Sequence, residues 1–188
     1  LLGSGDLFLT PTLDEPQLIW GQLIQKEKTG RSLSESLADA DTSFATEGGL
    51  RFDALSTFTL ASVTLYAREK TGALILVRDE EDKLVESIPA GLQPGPNVVE
   101  LDLEIPAGEN YLLTLAKGNK ALLQLDGFQP YPFELPGLVR ITGSTDPVAS
   151  VLTYPFFFDW VITYPDRCGR QPLLLEVAQD TAPTADFK

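Results

Sequence analysis

The chain has 188 residues, 43% hydrophobic and 22% charged, a balance suited to one sizeable folded domain or a domain with part of a neighbour. Its 27 acidic and 14 basic residues leave a net charge of −13, which opposes nucleic acid and anionic membrane, since either needs a basic face. With no histidine and a single cysteine, Cys168, the chain lacks a Ser-His-Asp or Cys-His arrangement, a His-ligated zinc site, an internal disulfide and a CxxC metal knuckle.

Residues 1–25 hold two short apolar runs, Leu7-Phe8-Leu9 and 18–24, joined by a Pro-bearing turn. They read as a hairpin. A two-stranded hairpin alone is marginal in water, so it is expected to dock on the main domain or on another chain, with Trp20 as its best anchor. Residues 26–47 follow as a polar connecting loop without strand signal. Within it, 32–40 is bordered by Ser and Asp, but its apolar content is too thin for a packed helix face. It is predicted as loop with at most one turn.

The main domain is predicted over residues 48–178. The stretch 58–67 places apolar residues first at even positions (Phe58, Leu60) and then at odd ones (Val63, Leu65, Ala67), so a bulge or sharp bend is expected near Ala61-Ser62. Residues 73–77 are apolar throughout and read as a strand buried on both faces. In 99–105, Val99, Leu101, Leu103 and Ile105 share one face and acidic residues take the other, the mark of a half-buried antiparallel strand. Tyr111, Leu113 and Leu115 repeat the pattern, as do Leu173, Leu175 and Val177.

Turn residues separate these runs at 79–82, 93–96, 106–108 and 117–119, and 14 Pro with 15 Gly leave no room for a long helix. About ten short strands joined by tight turns predict an all-β fold, an antiparallel β-sandwich of jelly-roll type. Residues 179–188 read as an interdomain linker, mobile unless a partner holds it. The chain opens on Leu1-Leu2-Gly3 rather than Met, so it is expected to have been processed or excised from a longer protein.

Several segments resemble a β-sandwich accessory module of large secreted multidomain bacterial surface proteins exported by the type IX route. They are Gly49-Leu50-Arg51-Phe52-Asp53-Ala54, residues 58–67, Ile105-Pro106-Ala107-Gly108, Tyr131-Pro132-Phe133, residues 137–144 and Phe156-Phe157-Phe158-Asp159-Trp160. Residues 2–13 look like the closing hairpin of a preceding Ig-like repeat, and Pro183-Thr184-Ala185-Asp186-Phe187 is similar to the first strand of a PKD-type repeat. The chain departs from the family pattern at 120–126, where an Asn-rich loop with a Tyr-Arg-Asn element is usual, and in having Phe where tyrosines usually precede Asp-Trp. The resemblance implies a non-catalytic structural or adhesion module at the cell surface or outside it. Its partners would be Ig-like and PKD-like neighbours in the same polypeptide, with glycans or further copies of the chain as other candidates. Membrane insertion is not expected, because no apolar run reaches the ~18 residues of a span.

Two clusters are candidate sites. Exposed aromatic faces hold pyranose rings, and among the aromatics Tyr131, Phe133 and Tyr154 lie in loop-like sequence. They are the candidates for a carbohydrate-binding alternative, whereas Phe158 and Trp160 read as core. Asp39 and Asp41, with Glu47 nearby, form a DxD loop that can offer oxygens to a structural calcium ion. The acidic run 79–82 reads as a solvated turn. Paired carboxylates for glycoside hydrolysis are not placed in a cleft by any feature of the sequence, so no enzyme is expected. Cys168 has no histidine or cationic cluster beside it to lower its pKa and reads as an unreactive thiol.

Overall fold

The computed structural model describes residues 17–33, 41–147, 150–165 and 171–175. These residues are almost entirely β. In chain order the strands are β1 (Gln17–Gly21), β2 (Ile24–Thr29), β3 (Thr42–Ala45), β4 (Gly49–Ala54), β5 (Phe58–Ala67), β6 (Thr71–Arg78), β7 (Leu84–Leu92) and β8 (Gly95–Ile105). They continue with β9 (Gly108–Leu115), β10 (Leu122–Asp126), β11 (Phe133–Leu135), β12 (Val139–Ser144), β13 (Thr153–Pro155), β14 (Phe158–Pro165) and β15 (Gln171–Leu175).

The chain divides into two compact units, one of residues 24–164 and one of residues 1–23 with 165–188. The larger is an antiparallel β-sandwich. One sheet has six strands in the order β11-β12-β4-β9-β6-β7. The other has seven: β8, β5, β14 and β2 lie side by side, and β10, flanked by β3 and β13, meets β5 at Leu122↔Ala67. Along β4, β5, β6 and again along β7, β8, β9, β10, the chain crosses from sheet to sheet, as jelly-roll connections do. Every face-in side chain is thereby offered to the opposite sheet.

Alternation decides which side chains fill the space between the sheets. In β8, Val99, Leu101 and Leu103 are half-buried and Ile105 is buried, while Val98, Glu100, Asp102 and Glu104 are exposed. Tyr111, Leu113 and Leu115 face the core from β9 in the same way. The predicted slip in β5 is real: Phe58 and Leu60 point inward, and then Val63, Leu65 and Ala67 do. β8 keeps its odd residues inward throughout, so the pairing jumps from Leu60↔Leu103 to Ser62↔Glu100. The extra residue on β8 includes Asp102 at φ 45°. On the other edge of β5 the pairing jumps from Phe158↔Thr64 to Val161↔Ser62, and there Asp159 also has φ 45°. Both neighbours of β5 thus bulge where it changes phase.

The centre of the core joins the sheets through aromatic rings. Trp160 of β14 packs edge-on against Phe52 of β4 at 5.1 Å, and Tyr111 of β9 stacks on Phe52 at 5.4 Å. Trp160 is fully buried, and its Nε1 donates to Phe157 O at 2.9 Å, so the indole N–H carries no desolvation penalty.

Three expectations are corrected. β6 is not buried on both faces: Ala73, Ile75 and Val77 are buried, but Leu74 is 37% exposed, because an outer sheet face without a third layer stays in water. Residues 26–47 are not a plain connecting loop, since β2 and β3 belong to the seven-stranded sheet and Leu33 is 5% exposed within the core. The sandwich does not run as one body from 48 to 178: it begins at 24 and ends at 164.

In the smaller unit, β1 pairs antiparallel with β15 from Gln17↔Leu175 to Gly21↔Gln171. Among the described residues, the partner of β1 therefore comes from the C-terminal part of the chain. The run at 7–9, the stretch 34–40, Cys168 and the proposed linker 179–188 lie outside the described residues.

Candidate functional site

The three candidate aromatics come together, from β11, β13 and the loop before β11. Tyr131 and Tyr154 stack at 5.9 Å with an interplanar angle of 11°, and Phe133 stands edge-on to both, at 5.2 and 5.4 Å. The Tyr131–Pro132 peptide is cis. The guanidinium of Arg31, which follows β2, lies 5.8 Å from the centre of the Phe133 ring, within cation–π range.

Burial gives the cluster its character. Tyr154 is 0% exposed, which corrects the expectation of an exposed ring there; Tyr131 and Phe133 are half-buried. The reason is local. β13 sits at the rim of the seven-stranded sheet and turns Tyr154 inward over Phe158, with centroids 5.5 Å apart. Gly30 lets the chain pass this close, since a Cβ at its φ of +81° would lie 2.6 Å from Tyr154 Oη and 3.3 Å from Trp160 Cδ1.

The phenols are used inside the fold. Tyr154 Oη donates to Phe157 O at 3.1 Å, and Tyr131 Oη donates to Thr153 O at 3.0 Å. Burial pushes the pKa of both phenols well above the ordinary value, and each stays neutral across physiological pH. Next to this cluster, Gln129 is buried, with its Nε2 donating to Gly127 O. Phe128, by contrast, is 72% exposed, Val151 and Leu152 are exposed as well, and Gln129 N donates to Val151 O at 2.7 Å. Sequence reasoning missed both Arg31 and the exposure of Phe128: Arg31 sits in a stretch without apolar periodicity, and Phe128 carries no strand pattern to set its direction.

Of the two acidic candidates, Asp41 alone lies within the described residues. Asp41 is exposed beside β3, and its carbonyl accepts from Asp126 N at 2.8 Å; Asp39 lies outside the described residues. Among the described residues no three Asp, Glu or Cys side chains are grouped to hold a metal ion. The run 79–82 forms the β6–β7 turn, where Asp79 Oδ1 accepts from Glu81 N at 3.1 Å and Lys83 N at 3.0 Å. Asp79, Glu80 and Glu81 line, with Glu109 and Tyr111, a shallow acidic hollow of about 300 Å³. The Tyr111 phenol is pushed upward by burial first and then by the charges of Asp79 and Glu80. Among the described residues no helix is long and apolar enough to cross a membrane.

Comparison with family models, with curated proteins and with solved structures found no match for this chain.

Proposed function

We propose that the chain is a non-catalytic structural or adhesion module of an extracellular multidomain protein, built to hold shape and stay soluble between Ig-like and PKD-like neighbours. The observation that carries this reading is the use of the aromatic cluster: Tyr131 and Tyr154, the side chains best suited to hold a ligand, spend their hydroxyls on backbone carbonyls and their rings on each other. The acidic surface, at a pI near 4.3, supports a solvated exterior setting. A calcium ion on the acidic loops is compatible with this role.

Two measurements test the proposal. Glycan-array screening of the chain is expected to give no reproducible binding, and a hit abolished by Tyr131→Ala or Phe133→Ala would replace it with a carbohydrate-binding role. Assays on polysaccharide and peptide substrates are expected to show no turnover, and turnover by the purified chain would overturn it outright.

A further inference from the structure

We propose that the sandwich is an insertion carried as a side branch, outside the path by which tension passes from one flank of the chain to the other. The inference deepens the structural-module reading and rests on it for the premise that neighbours pull on the flanks. It comes from two strand pairings found independently in the two units.

The first is β1 with β15. Their register runs from Gln17↔Leu175 at one end to Gly21↔Gln171 at the other. The outer flanks leave the pair together at the Gln17/Leu175 end, and the sandwich is joined to it at the Gly21/Gln171 end, through residues 22–23 on one side and 166–170 on the other. Tension between the flanks is therefore borne by five antiparallel residue pairs before any reaches the sandwich. It opens them in sequence from the outer end, because the ladder bonds lie across the strands and are peeled rather than sheared.

The second pairing is inside the sandwich. Its first and last strands, β2 and β14, are neighbours in the seven-stranded sheet, and Asp159 N donates to Arg31 O at 3.0 Å just past the end of β2. Entry and exit are thus adjacent strands, the property that lets a domain be inserted into another without distortion. A module strung in line between neighbours gains nothing from this arrangement. One inserted between two paired strands requires it. Below the force that opens the pair, the sandwich then stays folded and keeps its surface presented, and its role is display rather than load-bearing spacing.

The test uses the full chain with Cys168→Ser to remove the competing thiol. Leu18→Cys with Leu174→Cys places thiols on directly opposed residues, at the Cβ separation of a cross-strand pair that a disulfide can close. Oxidation is expected to link them, and to fail for Leu18→Cys with Leu173→Cys, which are one position out of register. In optical tweezers, with handles at residues 1 and 188, the reduced protein is expected to open the pair at low force before the sandwich unfolds. The oxidised protein should extend about 560 Å less, at ~3.6 Å for each residue in the bypassed loop. Handles at residues 24 and 164 should show the sandwich event alone.

Failure of the opposed cysteines to link while circular dichroism shows the strand spectrum intact would overturn the proposal, as would unfolding of the sandwich with no earlier opening. If the first pair of substitutions prevents folding, Ile19→Cys with Leu173→Cys makes the same test on the other face of the ribbon. A failed link removes the side-branch inference and leaves the non-catalytic reading in place; enzymatic turnover does the reverse.

Discussion

Replacing Tyr154 with alanine separates a core ring from a ligand platform. The ring is fully buried between Tyr131, Phe133 and Phe158, so its removal leaves a cavity that β13 and β14 cannot close without breaking their pairings with β10 and β5. Losing a large buried aromatic side chain costs roughly 3–5 kcal/mol. The hydroxyl adds a smaller amount. Phe157 O keeps Trp160 Nε1 as a donor, and the lost donation from Tyr154 Oη costs about 1 kcal/mol. The sum, about 4–6 kcal/mol, is a large share of the 5–15 kcal/mol that holds a typical domain together. At about 3 °C for each kcal/mol in a domain of this size, the melting temperature should fall by roughly 12–18 °C. Urea unfolding followed by circular dichroism measures the change, with Tyr154→Phe isolating the hydroxyl contribution of about 1 kcal/mol. Phe128→Ala is the matched control: that ring is 72% exposed, and its loss should stay within about 0.5 kcal/mol of zero. If Tyr154→Ala costs no more than Phe128→Ala, the reasoning is refuted and Tyr154 is free to act as a platform.

Three further predictions follow from the same geometry. Tyr131 and Tyr154 have folded-state pKa values raised above the ordinary 10.0, mainly by burial, so the stability they contribute is complete below pH 10 and drains away as pH rises from there toward the folded-state values. Absorbance at 295 nm in the native protein should show these two phenols ionising only as the fold is lost, and ionisation of all five tyrosines near pH 10 without unfolding would contradict this. Gly49→Ala is expected to cost about 2–3 kcal/mol, because a Cβ there would sit 2.2 Å from Leu113 O and 2.8 Å from Thr114 Cα, both backbone atoms of β9. Gly91→Ala in β7, with nothing within 4 Å, should be neutral or stabilising by about 0.5 kcal/mol in the same denaturation assay. At the β8 bulge, Asp102 has φ 45°, so Asp102→Val should cost about 1–2 kcal/mol and Asp102→Gly nothing, a contrast absent if the bulge relaxes.

The alternation along 99–105, the phase change within 58–67 and the turn residues between runs could all be read directly from the chain, because a strand with one wet face writes its period of two into local sequence. So could the all-β sandwich, and the core positions of Phe158 and Trp160. What only the tertiary structure decided depended on partners distant in the chain. β2, Ile-Gln-Lys-Glu-Lys-Thr, is mostly exposed and has no apolar face; it is a strand because β14 offers it backbone hydrogen bonds, which side-chain patterning does not record. Residues 73–77 looked doubly buried because apolar composition reports hydrophobicity and not whether a second layer covers the outer face. Tyr154 sits in a three-residue strand followed by a left-handed Phe156, too short for any period to set its direction, and its burial follows from Gly30, Tyr131 and Phe158 converging on it. The pairing of β1 with β15 joins segments some 150 residues apart, and a local pattern contains nothing about so distant a partner.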